Sequence, residues 1–225
     1  MKNLVIILVA IVANMSLAQS KDSLGSNKYL EDQLYIGVTY NSLYKLPEDI
    51  SQNGFSNGIF FGYIKDIPIN AKRDFGFALG LGYGRNTYFQ DLRIEEVDGA
   101  TTFEQVKSFS RNKFSLHTIE FPIEIRWRTS TPTKYKFWRI YSGVKMGYVF
   151  ASNAKLKKEG TIKVRGIKEV NKFQYGLTLG AGFGTWNLNI YYGLNDIFSA
   201  DAFINSTEEL VRTRDLRIGL IFYIL

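Results

Sequence analysis

The stretch from Phe75 to Gly84 reads Phe-Gly-Phe-Ala-Leu-Gly-Leu-Gly-Tyr-Gly. Phe75, Phe77, Leu79, Leu81 and Tyr83 take every second position, and Gly76, Ala78, Gly80, Gly82 and Gly84 take the others. A period of two puts the two sets on opposite faces of a β-strand. One face is apolar and aromatic, and the other is nearly bare backbone. Glycines on a strand face in water pack against nothing and lose backbone entropy on ordering. They suit a strand whose bare face looks into a narrow, crowded barrel while its bulky face meets lipid, which is the outer-membrane barrel alternation. The pattern returns as Tyr175-Gly-Leu-Thr-Leu-Gly-Ala-Gly-Phe-Gly184. The competing reading is a soluble β-barrel with the bulky face as its core.

The chain has 225 residues, a formal charge of +7, one histidine and no cysteine. A single domain is the natural expectation for that length. Without cysteine there is no disulfide framework and no thiolate ligand or nucleophile. One histidine makes a poor metal site, so no cofactor is expected. The basic balance suits anionic lipid head groups and does not indicate nucleic acid. Lys2, the apolar run from Leu4 to Ala13 and Ser16-Leu17-Ala18 form a signal peptide over residues 1–18, cleaved before Gln19. That run is too short for a spanning helix, and no later stretch reaches the roughly 18 apolar residues one needs. An exported chain that spans a membrane must then do so with strands closed into a barrel.

Alternation predicts eight strands. The first holds Leu34, Ile36, Val38 and Tyr40; the second, Gly58 to Lys65, has an ambiguous facing because Ile59, Phe60 and Phe61 run together. Asp66 to Asp74 reads as a turn, and the third strand runs from Phe75 to about Thr87. A polar segment rich in acids reaches Asn112, before a fourth strand from Lys113 to Arg128. A turn around Pro132 leads to the fifth strand, from Trp138 to Phe150, and a basic loop covers Asn153 to Asn171. The glycine-rich echo is the sixth strand, Trp186 to Leu194 the seventh and Thr213 to Leu225 the eighth, with a loop from Asn195 to Arg212. The fold expected is an all-β, eight-stranded antiparallel up-and-down transmembrane β-barrel over residues 34–225, after a periplasmic lead-in at 19–33. The connections alternate long and short, as outer-membrane barrels do. Trp127, Trp138 and Trp186 fall on the outward face beside short turns, a periplasmic aromatic girdle. Pro122 cannot donate to a ladder, so a bulge or local break is expected there.

The inward face of the fourth and fifth strands carries Glu120, Glu124, Arg126, Arg139, Tyr141 and Lys145. Pairing about residue 132 sets Glu120 opposite Lys145, and Glu124 near Tyr141 and diagonal to Arg139. An eight-stranded barrel is about filled by its own side chains, and buried charges inside it have to pair. Other readings of this cluster are a gated polar pathway and paired carboxylates in acid–base work. His117 shares the outward parity of Ile119, with Ser115 two residues away, so a lipid-facing hydrolytic dyad is a further possibility. Lys155, Lys157, Lys158, Lys163, Arg165 and Lys168 make one long loop strongly basic. That loop would pair with the acidic loop before it, touch anionic lipopolysaccharide or dock a partner protein. Gly80 to Gly84 sits within a strand with no helix after it and is not a phosphate loop.

Four runs resemble a known family: His117-Thr-Ile-Glu-Phe-Pro-Ile-Glu-Ile-Arg-Trp-Arg128, Phe137-Trp-Arg-Ile-Tyr-Ser-Gly-Val-Lys-Met-Gly-Tyr148, Phe173-Gln-Tyr-Gly-Leu177 and Leu216-Arg-Ile-Gly-Leu-Ile-Phe-Tyr-Ile-Leu225. With Phe61-Gly-Tyr-Ile-Lys-Asp-Ile-Pro68 they are similar to the PorT family of Bacteroidetes outer-membrane β-barrels. The resemblance covers nearly all of the chain from about residue 33. It implies a non-enzymatic, cell outer membrane component of the type IX secretion system, linked to gliding motility, with other secretion-system proteins as partners. It supplies no catalytic residues. A small porin-like channel and a lipid-modifying enzyme are the rival functions, and no small-molecule substrate is evident.

Overall fold

The structure, a computed structural model, describes residues 32–129 and 137–224. The signal peptide, most of the lead-in and the Pro132 turn lie outside the described residues. Eight long strands form the barrel wall: β1 (Asp32–Tyr44), β2 (Asn57–Pro68), β3 (Phe75–Phe89), β6 (Arg111–Arg128), β7 (Trp138–Lys157), β9 (Phe173–Phe183), β10 (Trp186–Gly193) and β11 (Arg214–Ile224). Each pairs antiparallel with its chain neighbour, and β1 pairs with β11, so the sheet closes. Three short strands lie in segments expected to be loops: β4 (Leu92–Val97), β5 (Ala100–Gln105) and β8 (Thr161–Arg165). β4 and β5 form a hairpin turned by Asp98 and Gly99, both at positive φ, as a tight two-residue turn requires. β8 pairs with the projecting end of β7, so the basic loop is a hairpin rather than irregular chain.

Burial follows the parity read from the sequence. Phe75, Phe77, Leu79 and Leu81 are exposed on the outside, while Gly76 and Ala78 are buried inside. The second strand's facing resolves in favour of Phe60, Ile64 and Asp66 inside and Ile59, Phe61 and Ile67 outside. The inward glycines make room for large side chains from neighbouring strands. A Cβ on Gly180 would lie 2.1 Å from Cζ of Tyr141, and one on Gly37 would lie 2.2 Å from Cζ of Phe60.

The expectation at Pro122 holds on one side only. The β3–β6 ladder stops at Leu79–Ile123 and resumes in the same register at Gly82–Glu120, whereas Pro122 pairs with Lys145 of β7 without interruption. The proline ring, which offers no N–H, stands against Gly80, whose Cβ would meet Pro122 Cγ at 2.7 Å. The bulge falls elsewhere: His117 pairs with Ala151 and Thr118 with Val149, leaving Phe150 unpaired.

Two cores stack along the barrel. Near the short turns Tyr35, Phe60, Ile64, Ala78, Tyr141, Ile221 and Tyr223 pack inside the wall. At the other end the four long connections fold over the mouth. Leu92, Ile94 and Phe103 of the β4–β5 hairpin pack with Val164, Ile167, Val170, Ile197, Phe198 and Ile204, above Tyr88, Phe114 and Leu116 of the wall. The loops are also stitched by polar contacts: Asn205 and Phe103 exchange hydrogen bonds of 2.9 and 3.0 Å, and Ser51 N–H donates to Asp91 at 2.8 Å.

Overpacking a crowded interior costs about 1–3 kcal/mol. Gly180→Ala is therefore expected to destabilise the barrel by about that much in urea unfolding from detergent micelles. Tyr141→Leu in the same chain should recover part of the loss, and strict additivity of the two changes would contradict the packing account.

Candidate functional site

Nine charged side chains are buried among the described residues: Asp66, Glu120, Glu124 and Asp215 against Arg126, Arg128, Arg139, Lys145 and Arg217. They form two clusters inside the barrel. In the first, Arg126 on β6 donates to Glu124 Oε2 from Nε (2.9 Å) and Nη2 (2.8 Å), to Tyr223 OH (3.1 Å) and to Gln33 Oε1 (3.4 Å). Its Nη1 is 3.7 Å from Asp66 Oδ2, which also accepts from Arg128 at 2.7 Å. Arg139 stacks 4.6 Å from the Tyr223 ring and 5.1 Å from the Phe137 ring. Tyr141 stands edge-on to Tyr223 and 5.5 Å from the Arg126 guanidinium.

In the second cluster Glu120 takes Lys145 Nζ at 3.1 Å and Arg217 at 3.3 Å. Arg217 donates to Asp215 at 2.5 Å, and Asp215 accepts the Tyr88 hydroxyl. Arg217 lies 4.3 Å over the Tyr191 ring, and Lys145 lies 5.0 Å over Phe60. The carboxylates and cations thus meet partners in a buried lumen, where an unmatched charge would be costly. The cavity left among Tyr35, Phe60, Pro122, Lys145 and Tyr223 is about 20 Å³, room for about one water.

The expected residues are all inside, but the expected pairing is two residues out of register. Glu120 lies across from Gly147, Lys145 from Pro122, Glu124 from Gly143, Arg126 from Tyr141 and Arg128 from Arg139. Glu120 still reaches Lys145 diagonally, while Glu124 finds its cation on its own strand in Arg126 rather than in Arg139. Asp66, expected in a turn, is an inward residue of β2 and bridges Arg126 and Arg128. Arg217, Asp215 and Tyr88 complete the second cluster. Their signal was parity alone, since Asp215 and Arg217 share the inward face of β11.

Trp127, Trp138 and Trp186 are 43%, 58% and 61% exposed, all outward at the short-turn rim. Trp138 packs 5.4 Å from Phe183, and Trp186 lies edge-on 4.6 Å from Phe222, so the girdle continues between the tryptophans. His117 does not meet Ser115. Its Nδ1 bonds Tyr83 OH at 2.7 Å, and the Ser115 hydroxyl bonds Thr87 at 2.9 Å. The acidic and basic loops do not neutralise each other by salt bridges among the described residues. Glu95 and Glu104 pair with Arg93 of their own hairpin, and Lys168 reaches the Gly99 carbonyl at 3.2 Å. Lys155 and Lys157 stand on β7, Lys163 and Arg165 on β8, and Lys158 in the turn between them.

Residues 17–199 match the family described as outer membrane protein beta-barrel domain. The chain belongs to that family. The match takes in seven of the eight wall strands of this outer membrane barrel, all but β11. No curated protein matches the chain. A solved structure titled "Asymmetric conductivity of engineered proteins" aligns at 10% identity over 87% of this chain and all of its own, with a TM-score of 0.16. A likeness that weak says nothing of fold or function.

Removing one member of a buried charge cluster typically costs about 3–5 kcal/mol. Arg126→Met is expected to lower unfolding free energy by that order, because Glu124 and Asp66 lose their shared partner. Lys163→Gln, on the exposed hairpin, should leave the unfolding midpoint unchanged. Equal, small effects of both changes would contradict a network that holds the lumen together.

Proposed function

We propose that this outer membrane barrel is a non-enzymatic accessory subunit of protein secretion, of the type IX, gliding-linked kind that the PorT resemblance implies. The observation that carries the reading is where the resembling runs go. Residues 61–68, 117–128, 137–148 and 216–225 supply Asp66, Glu120, Glu124, Arg126, Arg128, Arg139, Lys145 and Arg217, eight of the nine buried charges. The family likeness is thus a likeness of the lumen network, the part that makes the barrel a rigid, filled post. A filled eight-stranded post is too narrow to pass a folded protein. In this reading it anchors or positions larger translocon parts, with short turns and Trp girdle at the periplasmic face and the knitted loops outside. The lumen is closed by paired charges and capped by an apolar core, which speaks against the small-channel rival. The separate hydrogen bonds of His117 and Ser115 speak against a Ser–His dyad.

Deletion of the gene in its own host tests this. Cargo proteins with the secretion signal should vanish from the culture supernatant, accumulate in the periplasm and return with a plasmid copy. Unchanged export would overturn the secretion role. In planar bilayers the purified protein is expected to give no steady conductance, whereas stable ion-selective steps abolished by lumen substitutions would reinstate the channel.

A further inference from the structure

Above the apolar band, the outward face of the wall changes character on one side. Four neighbouring strands carry it: β3, β6, β7 and β8, paired in that order. Arg85 lies across from His117, Lys113 across from Lys155, Lys155 across from Lys163, and Asn153 across from Arg165. The inner face of the same segment is apolar and buried, with Phe114, Leu116, Ala154, Leu156 and Val164, so the cations have no route inward. They line one surface depression of about 320 Å³. Among the described residues, none of Arg85, Lys113, Lys155, Lys163 and Arg165 makes an ion pair.

Like charges placed directly across a sheet oppose folding. A protein that pairs every carboxylate in its lumen leaves Lys113, Lys155 and Lys163 in one cross-strand row here, with Arg85 and Arg165 lining the same depression. Such a cluster has its repulsion relieved when an anion sits among the cations. Arginine offers a planar fork to phosphate oxygens and lysine a mobile point charge.

Position selects the anion. Directly below the cluster on the same outward face come Tyr83, His117 and Phe150, packed together with ring centroids 6.0–6.2 Å apart. Below them run Leu81, Ile119, Phe121 and Met146, exposed members of the band that meets acyl chains. Aromatic side chains of this kind mark the head-group level. The cations therefore stand at the height of lipid phosphates, on the rim with the long loops.

We propose that Arg85, Lys113, Lys155, Lys163 and Arg165 form a binding site for the phosphate groups of an outer-leaflet lipid, whose acyl chains lie along the band beneath. This rests on the outer-membrane reading. An acidic protein partner is the competing occupant; it would not need the aromatic belt and acyl-facing band to run on unbroken beneath the cations.

The test uses the full-length barrel, reconstituted in vesicles and then in detergent. Insertion is read from heat-modifiable gel mobility and protease protection. Binding is read by native mass spectrometry and thermal shift, with bisphosphorylated lipid A as probe and its enzymatically dephosphorylated form as comparison. The unaltered protein is expected to retain bisphosphorylated lipid A and to bind the dephosphorylated lipid about tenfold or more weakly. The Lys113→Gln/Lys163→Gln variant should lose about tenfold or more of that affinity, while Lys65→Gln, on the outward face of β2 towards the other rim, should not. Equal binding of the two lipids, or retention by the double variant, overturns the site while leaving the membrane barrel standing. Unchanged lipid binding with loss of a defined acidic partner assigns the patch to protein docking instead. A chain that never inserts overturns both readings.

Discussion

Closure is the constraint from which the rest follows. In lipid no backbone group can remain unpaired, so a sheet that crosses the bilayer has to close on itself. Closing at eight strands leaves a bore that side chains fill. Tyr141, Phe60 and Tyr35 occupy it only because Gly180, Gly37 and Gly82 stand opposite them without a Cβ. The charged groups among those fillers are buried and persist because every carboxylate meets a cation: Asp66 and Glu124 meet Arg126 and Arg128, and Glu120 and Asp215 meet Lys145 and Arg217. Glycine alternation, aromatic filling and the ion-pair network are thus three aspects of one geometric requirement.

The network runs from the lower wall up to Asp215, which accepts from Tyr88 of the upper core, and an apolar core of loop residues closes the upper mouth. Both ends of the problem are therefore solved by packing rather than by an open aqueous path. A barrel built this way presents its chemistry on the outside. The short-turn rim offers tryptophans, the long-loop rim a knitted surface, and one flank a row of uncompensated cations. Proposals of anchoring and of lipid contact both draw on these outer surfaces, and neither asks the lumen to move.

Much of this was legible in the chain because period-two alternation is a strong signal when one face is glycine. The facing of every wall strand but the second, where Ile59, Phe60 and Phe61 run together, the inward placement of Glu120, Glu124, Arg126, Arg139, Tyr141 and Lys145, and the outward tryptophans followed from parity. Register did not follow, because a hairpin's pairing depends on its turn, and here it differs by two residues from a turn centred near 132. Asp66 was hidden by its neighbours: Pro68 and Asn70 read as turn formers, and they end the strand only after Asp66 has turned inward. Tyr88, Asp215 and Arg217 lie on strands remote in sequence from Glu120, and closure alone brings them together. The loop core was missed because Leu92, Ile94, Phe103, Ile197 and Phe198 are scattered among polar residues, with no long periodic run to announce them.

The central claim is that the wall meets lipid all the way round. The chain contains no cysteine, so a single one can be placed at will on the outward face. Leu79→Cys, Ile123→Cys, Val144→Cys, Leu177→Cys, Leu188→Cys and Leu220→Cys cover six wall strands. With a nitroxide on each and the protein in vesicles, collision rates with oxygen and with a water-soluble nickel chelate report the surroundings. Oxygen should dominate at all six positions. Dominance of the nickel chelate at these positions would mean a barrel in water and would contradict the account.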